Sequence, residues 1–196
     1  MRISDSAIPL RRIHSFPPFG NPSARILILG TMPGEASLRA CQYYAHPQNL
    51  FWKILGEVLG YSPEPGMEGT GLRDASFAEK LRVLRASDIA LWDVLASCHR
   101  KGSLDSDIDH KTVEANDFAG FFASHQHIER VLFNGAKAQA CFRKYVAPSL
   151  DTRTLRCIRL PSTSPANASI AYAKKLASWR DALAPTIDPA MLLKPA

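Results

Sequence analysis

Three short segments of this 196-residue chain gather residue types that could do chemistry. Gly30-Thr31-Met32-Pro33-Gly34 follows an apolar run, and its glycines would let main chain come close to a ligand. The segment matches neither G-x-G-x-x-G nor a phosphate loop ending in Lys-Ser/Thr, and an ordinary tight turn has the same composition. Tyr43-Tyr44-Ala45-His46-Pro47-Gln48-Asn49-Leu50-Phe51-Trp52 sets aromatic rings beside amides just ahead of a helical pattern. Such a mixture can stack a nucleobase and present a polar group to it. Phe51 and Trp52 read as core, whereas Tyr44 and Asn49 fit a ligand-facing or a structural role equally. Leu160-Pro161-Ser162-Thr163-Ser164-Pro165-Ala166-Asn167-Ala168 places three hydroxyls between prolines. It suits phosphate contacts and a rigid wedge into a duplex, or the cap of a helix.

Elements that could position these segments are visible around them. Arg25–Gly30, Asp88–Val94, Arg130–Asn134 and Leu155–Leu160 are short apolar runs bounded by turn residues, the pattern of buried parallel strands. Helical patterns fill the gaps. One runs from Pro47, in its first turn, to a stop at Gly60. A Ser76–Glu79 capping box opens the next, and Asn116 is a cap candidate for the segment after it. Two more cover Gly135–Tyr145 and Ser169–Ala184. Alternating strands and helices predict an α/β fold with a mostly parallel sheet. Ligands in such folds bind at the carboxyl ends of the strands, where GTMPG, FNGAKA in the third junction and PSTSPANA lie and are expected to converge. Residues 1–24, rich in proline, read as an irregular arm, 25–184 as a single domain and 185–196 as a tail.

Composition narrows the classes. The chain is 46% hydrophobic and 21% charged, with a formal charge of +6. That is a globular balance with a mild preference for anionic partners. No apolar segment is long enough to span a bilayer, and the N-terminal stretch lacks the charge-then-apolar order of a signal peptide, so a cytoplasmic protein is expected. Cys41, Cys98, Cys141 and Cys157 contain no C-x-x-C pair, and mostly buried, reduced thiols are expected. His125 and His127 read as a solvated pair, so no metal site is expected.

GTMPG, YYAHPQNLFWKIL, DVLASCHRKGSLDSDI and LPSTSPANA, in this order and spacing, resemble the hypoxanthine-DNA glycosylase (DNA-deoxyinosine glycosylase) family of the uracil-DNA glycosylase superfamily. The resemblance spans about Arg25 to Trp179. It implies a three-layer α/β/α sandwich around a four-stranded, mostly parallel sheet. The implied reaction is hydrolysis of the N-glycosidic bond of a deaminated base in double-stranded DNA, by a monomer that needs no cofactor. Carried over residue by residue, it makes Asn49 catalytic and Tyr44 the ring that stacks on the flipped base. Gly30, Thr31, Met32, Pro33 and Gly34 line the base site with Asp93, which reads the base. Ser162, Thr163, Ser164, Pro165, Ala166 and Asn167 form the loop that grips DNA and fills the vacated stack. Lys137, Arg143 and Lys144, after the FNG turn, are candidates for additional phosphate contacts. Two positions depart from the superfamily pattern, since Met32 and Leu160 stand where relatives place polar catalytic groups. Relatives with an iron–sulfur cluster carry an N-terminal cysteine pair that this chain lacks, so no cluster is expected.

The chemistry needs little acid–base power. Departure of the base gives the sugar oxocarbenium character, and a placed water with electrostatic help for the leaving base suffices. On this reading the Asn49 carbonyl orients the water while neighbours hold its amide protons. Main-chain amides of Thr31–Gly34 stabilise the departing base, and Asp93 accepts the N1 proton of hypoxanthine. Uracil offers an equivalent proton. A uracil- or mismatch-directed glycosylase, or more remotely a non-catalytic lesion binder, are therefore the alternatives.

Overall fold

The structure, a computed structural model, describes residues 12–62 and 71–184. The tail expected at 185–196 and the start of the arm lie outside the described residues. In chain order the elements are β1 (Arg12–His14), β2 (Ile26–Gly30), α1 (Glu35–Ala40), α2 (Phe51–Val58), α3 (Phe77–Ala86), β3 (Ile89–Asp93), β4 (Leu95–Arg100), β5 (Ile108–Ala115), α4 (Phe118–Ser124), β6 (Arg130–Asn134), α5 (Ala136–Tyr145), β7 (Arg156–Leu160) and α6 (Tyr172–Leu183).

The four expected strands form one sheet in the order β3-β2-β6-β7, parallel throughout. Three of them, β2, β3 and β6, are buried at every position, because helices cover both faces. Alternation along β2 sorts its side chains. Ile26 and Ile28 join Phe51, Ile54, Leu84 and Trp179 on one face, while Leu27 and Leu29 join Phe118, Phe121, Ala138 and Phe142 on the other. The three-layer architecture follows, with α2, α3 and α6 on one side and α4 and α5 on the opposite side.

A second sheet was not foreseen. It is antiparallel, in the order β1-β4-β5. The chain leaves β3 at Val94, whose N–H still bonds Gly30 O (2.9 Å), and Leu95 N–H bonds Thr31 O (3.1 Å). The path then runs away in β4 and returns through residues 101–107, so that this return passes beside the ends of the parallel strands. Bulged register between β4 and β5 blurs the alternation that would have marked them.

Most of the described part of the expected arm is ordered. Residues 12–14 pair with β4. Phe19 bridges Leu91, and the Phe16 carbonyl accepts from Trp92 Nε1 (3.1 Å). Alternating apolar residues among the prolines give an extended edge segment, and proline is tolerated at an edge. Pro47 lies before α2 rather than in its first turn, because residues 46–49 form a turn of their own, Asn49 N–H to His46 O at 2.8 Å. Asp117, not Asn116, caps α4 by accepting from Gly120 N–H at 2.9 Å. Asn116 is drawn instead to the Asp93 carbonyl at 2.8 Å and to Ser15. Ser76 caps α3 as expected, but Glu79 pairs with Arg82 rather than completing the box. Only Cys98 and Cys141 are buried, since Cys41 and Cys157 are exposed.

Removing the α4 cap with Asp117→Ala should cost about 1 kcal/mol. The cost would be read as a lower urea midpoint at unchanged slope, and an unmoved midpoint would mean that another group caps this helix.

Candidate active site

A cleft of about 700 Å³ opens at the carboxyl ends of the parallel strands, where an α/β sheet of this topology offers its loops. Its lining brings together Gly30, Thr31, Met32, Pro33, Gly34, Tyr44, Asn49, Asp93, Ser162, Ser164, Pro165, Ala166 and Asn167. Sequence reasoning named every one of these. It missed Asn134, Ser103, Leu104 and Asp105, which also line the cleft, and Arg100, buried beside Pro33.

Asp93 ends β3 directly beside Gly30 in register. It is 4% exposed, and its Oδ2 has no hydrogen-bond partner. Burial, reinforced by the nearby Asp105 charge and only partly offset by Arg100, pushes its pKa up to about 8. The carboxyl is therefore largely protonated at neutral pH. A Cβ on Gly30 would collide with Asp93 Oδ1 and approach the Tyr44 hydroxyl to 3.0 Å. The glycine thus admits two polar side chains over the strand, instead of admitting ligand as the sequence suggested.

Asp105 belongs to the returning segment. Its Oδ2 accepts from Thr31 Oγ1 at 2.8 Å, tying that segment to the turn after β2. Burial raises its pKa against the pull of that hydrogen bond and of the Arg100 and Lys137 charges. Arg100 donates from Nε to Gly102 O (2.9 Å) and from Nη2 to Pro33 O, while its Nη1 is buried without a partner. Two carboxyls and one guanidinium thus share a poorly solvated floor. No sequence signal marks Arg100 for burial, but Asp105 stands within the quoted GSLDSDI stretch.

Tyr44 holds φ at 54°, the left-handed region that bulky residues avoid. Neighbours hold it there: Ser37 Oγ accepts from Ala45 N–H (3.2 Å), and Trp52 Nε1 donates to Tyr43 O (2.9 Å). Phe51 stacks on one face of the Tyr44 ring with centroids 3.8 Å apart. Its hydroxyl is buried beside Asn134 and Asp93, and burial raises its pKa well above the usual tyrosine range.

Asn49 opens α2. Its Oδ1 accepts from Phe51 N–H at 3.0 Å, an Asx turn that fixes which end of the amide is oxygen. The expected hold on the amide protons is missing, since no described residue accepts from Nδ2, and protein instead holds one side of the carbonyl.

The loop after β7 is clamped from beneath. Asn134 Oδ1 accepts from Thr163 N–H and its Nδ2 donates to Thr163 Oγ1, both at 2.9 Å. Leu50 N–H bonds Thr163 O at 3.0 Å. Thr163 is 0% exposed, so its hydroxyl is a structural tie and is not free for DNA. Ser162 and Ser164 accept from main-chain N–H groups within the loop, and their own hydroxyl protons remain available at the cleft. Pro165 and Ala166 are exposed. Lys175, 2% exposed, donates to Asn167 O at 2.7 Å, and Trp179 Nε1 to Pro161 O at 3.1 Å. Asn134 was legible as the one polar residue closing an apolar strand.

Lys137 does not line the cleft. Its ammonium meets His110 Nε2 at 2.9 Å, which requires the neutral imidazole, consistent with the lowered His110 pKa from burial and the Lys137 and Lys144 charges. Arg143 and Lys144 lie in the last turn of α5, away from the strand ends. Among the described residues no group of three or more His, Cys, Asp or Glu is placed to hold a metal ion, and none of their helices is long and apolar enough to cross a membrane.

The family model described as the uracil DNA glycosylase superfamily matches residues 17–184. A "Hypoxanthine DNA glycosylase" of Methanosarcina acetivorans is 34% identical over 152 residues, covering 78% of this chain and 86% of that protein. Another of the same name, from Methanosarcina barkeri, is 37% identical over 123 residues, covering 63% and 71%. A solution NMR structure described as a candidate uracil DNA glycosylase from Methanosarcina acetivorans superposes with a TM-score of 0.71 at 31% identity, covering 88% of this chain and 97% of its own.

The buried carboxyl leaves a signature in stability. The folded chain keeps the Asp93 proton up to about 8, whereas the unfolded chain releases it in the ordinary carboxylate range. Between those limits unfolding releases a proton, so stability falls as pH rises. Asp93→Asn should lack this contribution and fall less steeply in this window. Urea midpoints of both proteins, measured from pH 5 to 9, should diverge in favour of the variant as pH rises, and parallel curves would mean that Asp93 is ionised in the folded chain.

Proposed function

The chain belongs to the uracil DNA glycosylase superfamily, and on that premise we propose that it removes hypoxanthine from deoxyinosine in double-stranded DNA, acting as a monomer and leaving an abasic site. A glycosylase of this kind hydrolyses the bond between a deaminated base and its sugar. The substrate base must leave the duplex first, at a cost of a few kcal/mol that is least for a mispaired base. We place the enzyme in the cytoplasm, beside the DNA.

The observation that carries this reading is the unpartnered Asp93 carboxyl at the end of β3, within the cleft. A protonated carboxyl offers one donor and one acceptor side by side. The lactam edge of hypoxanthine, its O6 and N1–H, is complementary to that pair. Asp93 thus acts as a neutral acid rather than the anion assumed from sequence, and it does not repel the charge that develops on the departing purine. Uracil carries the same lactam edge, so slower uracil excision from the same site is the second reading. The names of the relatives favour hypoxanthine, and a cleft of about 700 Å³ leaves room for a purine.

Asn49 supplies the water. One lone pair of its Oδ1 is held by Phe51 N–H, and the other accepts a proton from a water aimed at the anomeric carbon. As the N9–C1′ bond breaks, its electrons stay with the base. The water oxygen bonds C1′, and the water's surplus proton ends on the released purine through solvent. Tyr44 offers its free face to the flipped base. The apolar Met32 and Leu160, both buried, leave this step to Asn49.

Asn49→Ala should lower single-turnover excision of inosine by about a hundredfold or more without shifting the melting temperature by an equivalent amount, and near-normal rates would remove Asn49 from the chemistry. Asp93→Asn preserves the donor–acceptor pair. It should stay active at neutral pH, and it should lose the decline in rate that the parent shows as pH rises past about 8. A variant inactive at every pH would show that Asp93 works as an anion. A panel of inosine, uracil, xanthine and T·G duplexes ranks the substrates, and uracil preferred over inosine would select the second reading.

A further inference from the structure

Among the described residues one large hydrophobic side chain is exposed, Leu104, at 51%. It lies at the cleft, in the segment returning from β4, and shares that lining with the loop that carries Pro165 and Ala166. Exposure of a single leucine is commonplace. What sets Leu104 apart is how firmly its surroundings hold it out. On one side Ser103 Oγ accepts from Glu35 N–H at 2.9 Å. On the other, Asp105 accepts from Thr31 Oγ1 at 2.8 Å. Below, Arg100 binds Gly102 O at 2.9 Å and Pro33 O, and Gly102 turns the chain at φ 66°. The leucine between these anchors is kept half in water at the cleft.

We propose that Leu104 is a second wedge, entering the base stack beside the flipped nucleotide while Pro165 and Ala166 enter from the loop after β7. Leucine and proline are the kinds of side chain that pry base steps apart, and the unstacking they cause is offset by the apolar area they bury. A stack invaded from two segments is held open at lower cost per side chain, because each fills part of the gap. The loop's anchors also spare most of the ordering cost of binding. The proposal rests on the reading of the cleft as a base-flipping site, and it concerns only the opening of the duplex, not the bond cleavage.

The test compares Leu104→Ala with the parent on one inosine-containing oligonucleotide, single-stranded and paired with a complementary strand. Single-turnover excision from the duplex should fall roughly tenfold to fiftyfold, the worth of about three buried carbons, while excision from the single strand and the melting temperature stay unchanged. Leu104→Met should retain most of the duplex activity. A second readout is independent of cleavage: 2-aminopurine placed next to the inosine should brighten when the parent binds, and much less with Leu104→Ala. Equal losses on both substrates would make Leu104 part of the base pocket and overturn the proposal, as would an unaltered duplex rate with unaltered fluorescence. A parent that brightens the probe but releases no base would instead sink the glycosylase reading and leave the wedge standing.

Discussion

The space directly above the Gly30 α-carbon governs the site. No side chain can occupy it, because Asp93 Oδ1 and the Tyr44 hydroxyl already do. Their crowding fixes three things together. It brings the end of β3 against the end of β2, it draws the loop before α2 over the sheet with Tyr44 in a left-handed conformation, and it keeps water away from a carboxyl. A carboxyl without water or a cationic partner in bonding range prefers to keep its proton. The protonated carboxyl is therefore made by packing, and the same aspartate on an open loop would be an ordinary anion.

A second constraint links the start of α2 to the loop after β7. Thr163 is bonded by Asn134 from β6 and by Leu50 from the start of α2. Leu50 follows Asn49 in the chain, so the Asn49 amide and the loop after β7 share one fully buried tie, Thr163. Gly135 serves the same junction from the far side, where its φ of 102° and the Ser162 Cβ at 2.9 Å from any added methyl leave no room for another residue. Movement of the loop cannot be independent of the opening of α2.

The parallel sheet was legible because its strands are short, apolar and bounded by turns, and the three conspicuous segments do converge at its carboxyl edge. The antiparallel sheet was not legible, since bulges break the alternation in Leu95–Arg100 and Ile108–Ala115 that a reader of pattern depends on. With it went Arg100, Leu104 and Asp105, whose roles come only from the way the chain doubles back. Thr163 was misjudged for a related reason. Among three adjacent hydroxyls nothing local says which faces inward, and only Asn134, 29 positions away, decides it. The amide of Asn49 was identified but the group that holds it was not, because a bond to an N–H two positions ahead depends on a turn that Pro47 had disguised as the first turn of a helix.

The order of strands in the parallel sheet bears on how the chain comes into being. The central strand β2 is made early, yet it pairs on one side with β3 and on the other with β6, both distant along the chain. Contacts this remote close slowly. During synthesis Ile26–Gly30 therefore waits, fully apolar, until Arg130–Asn134 has been made. The last strand and the loop beyond it come later still. A growing chain can thus own Asn49 and Asp93 without having a cleft to put them in, and its central apolar strand lacks a partner on one edge until β6 follows.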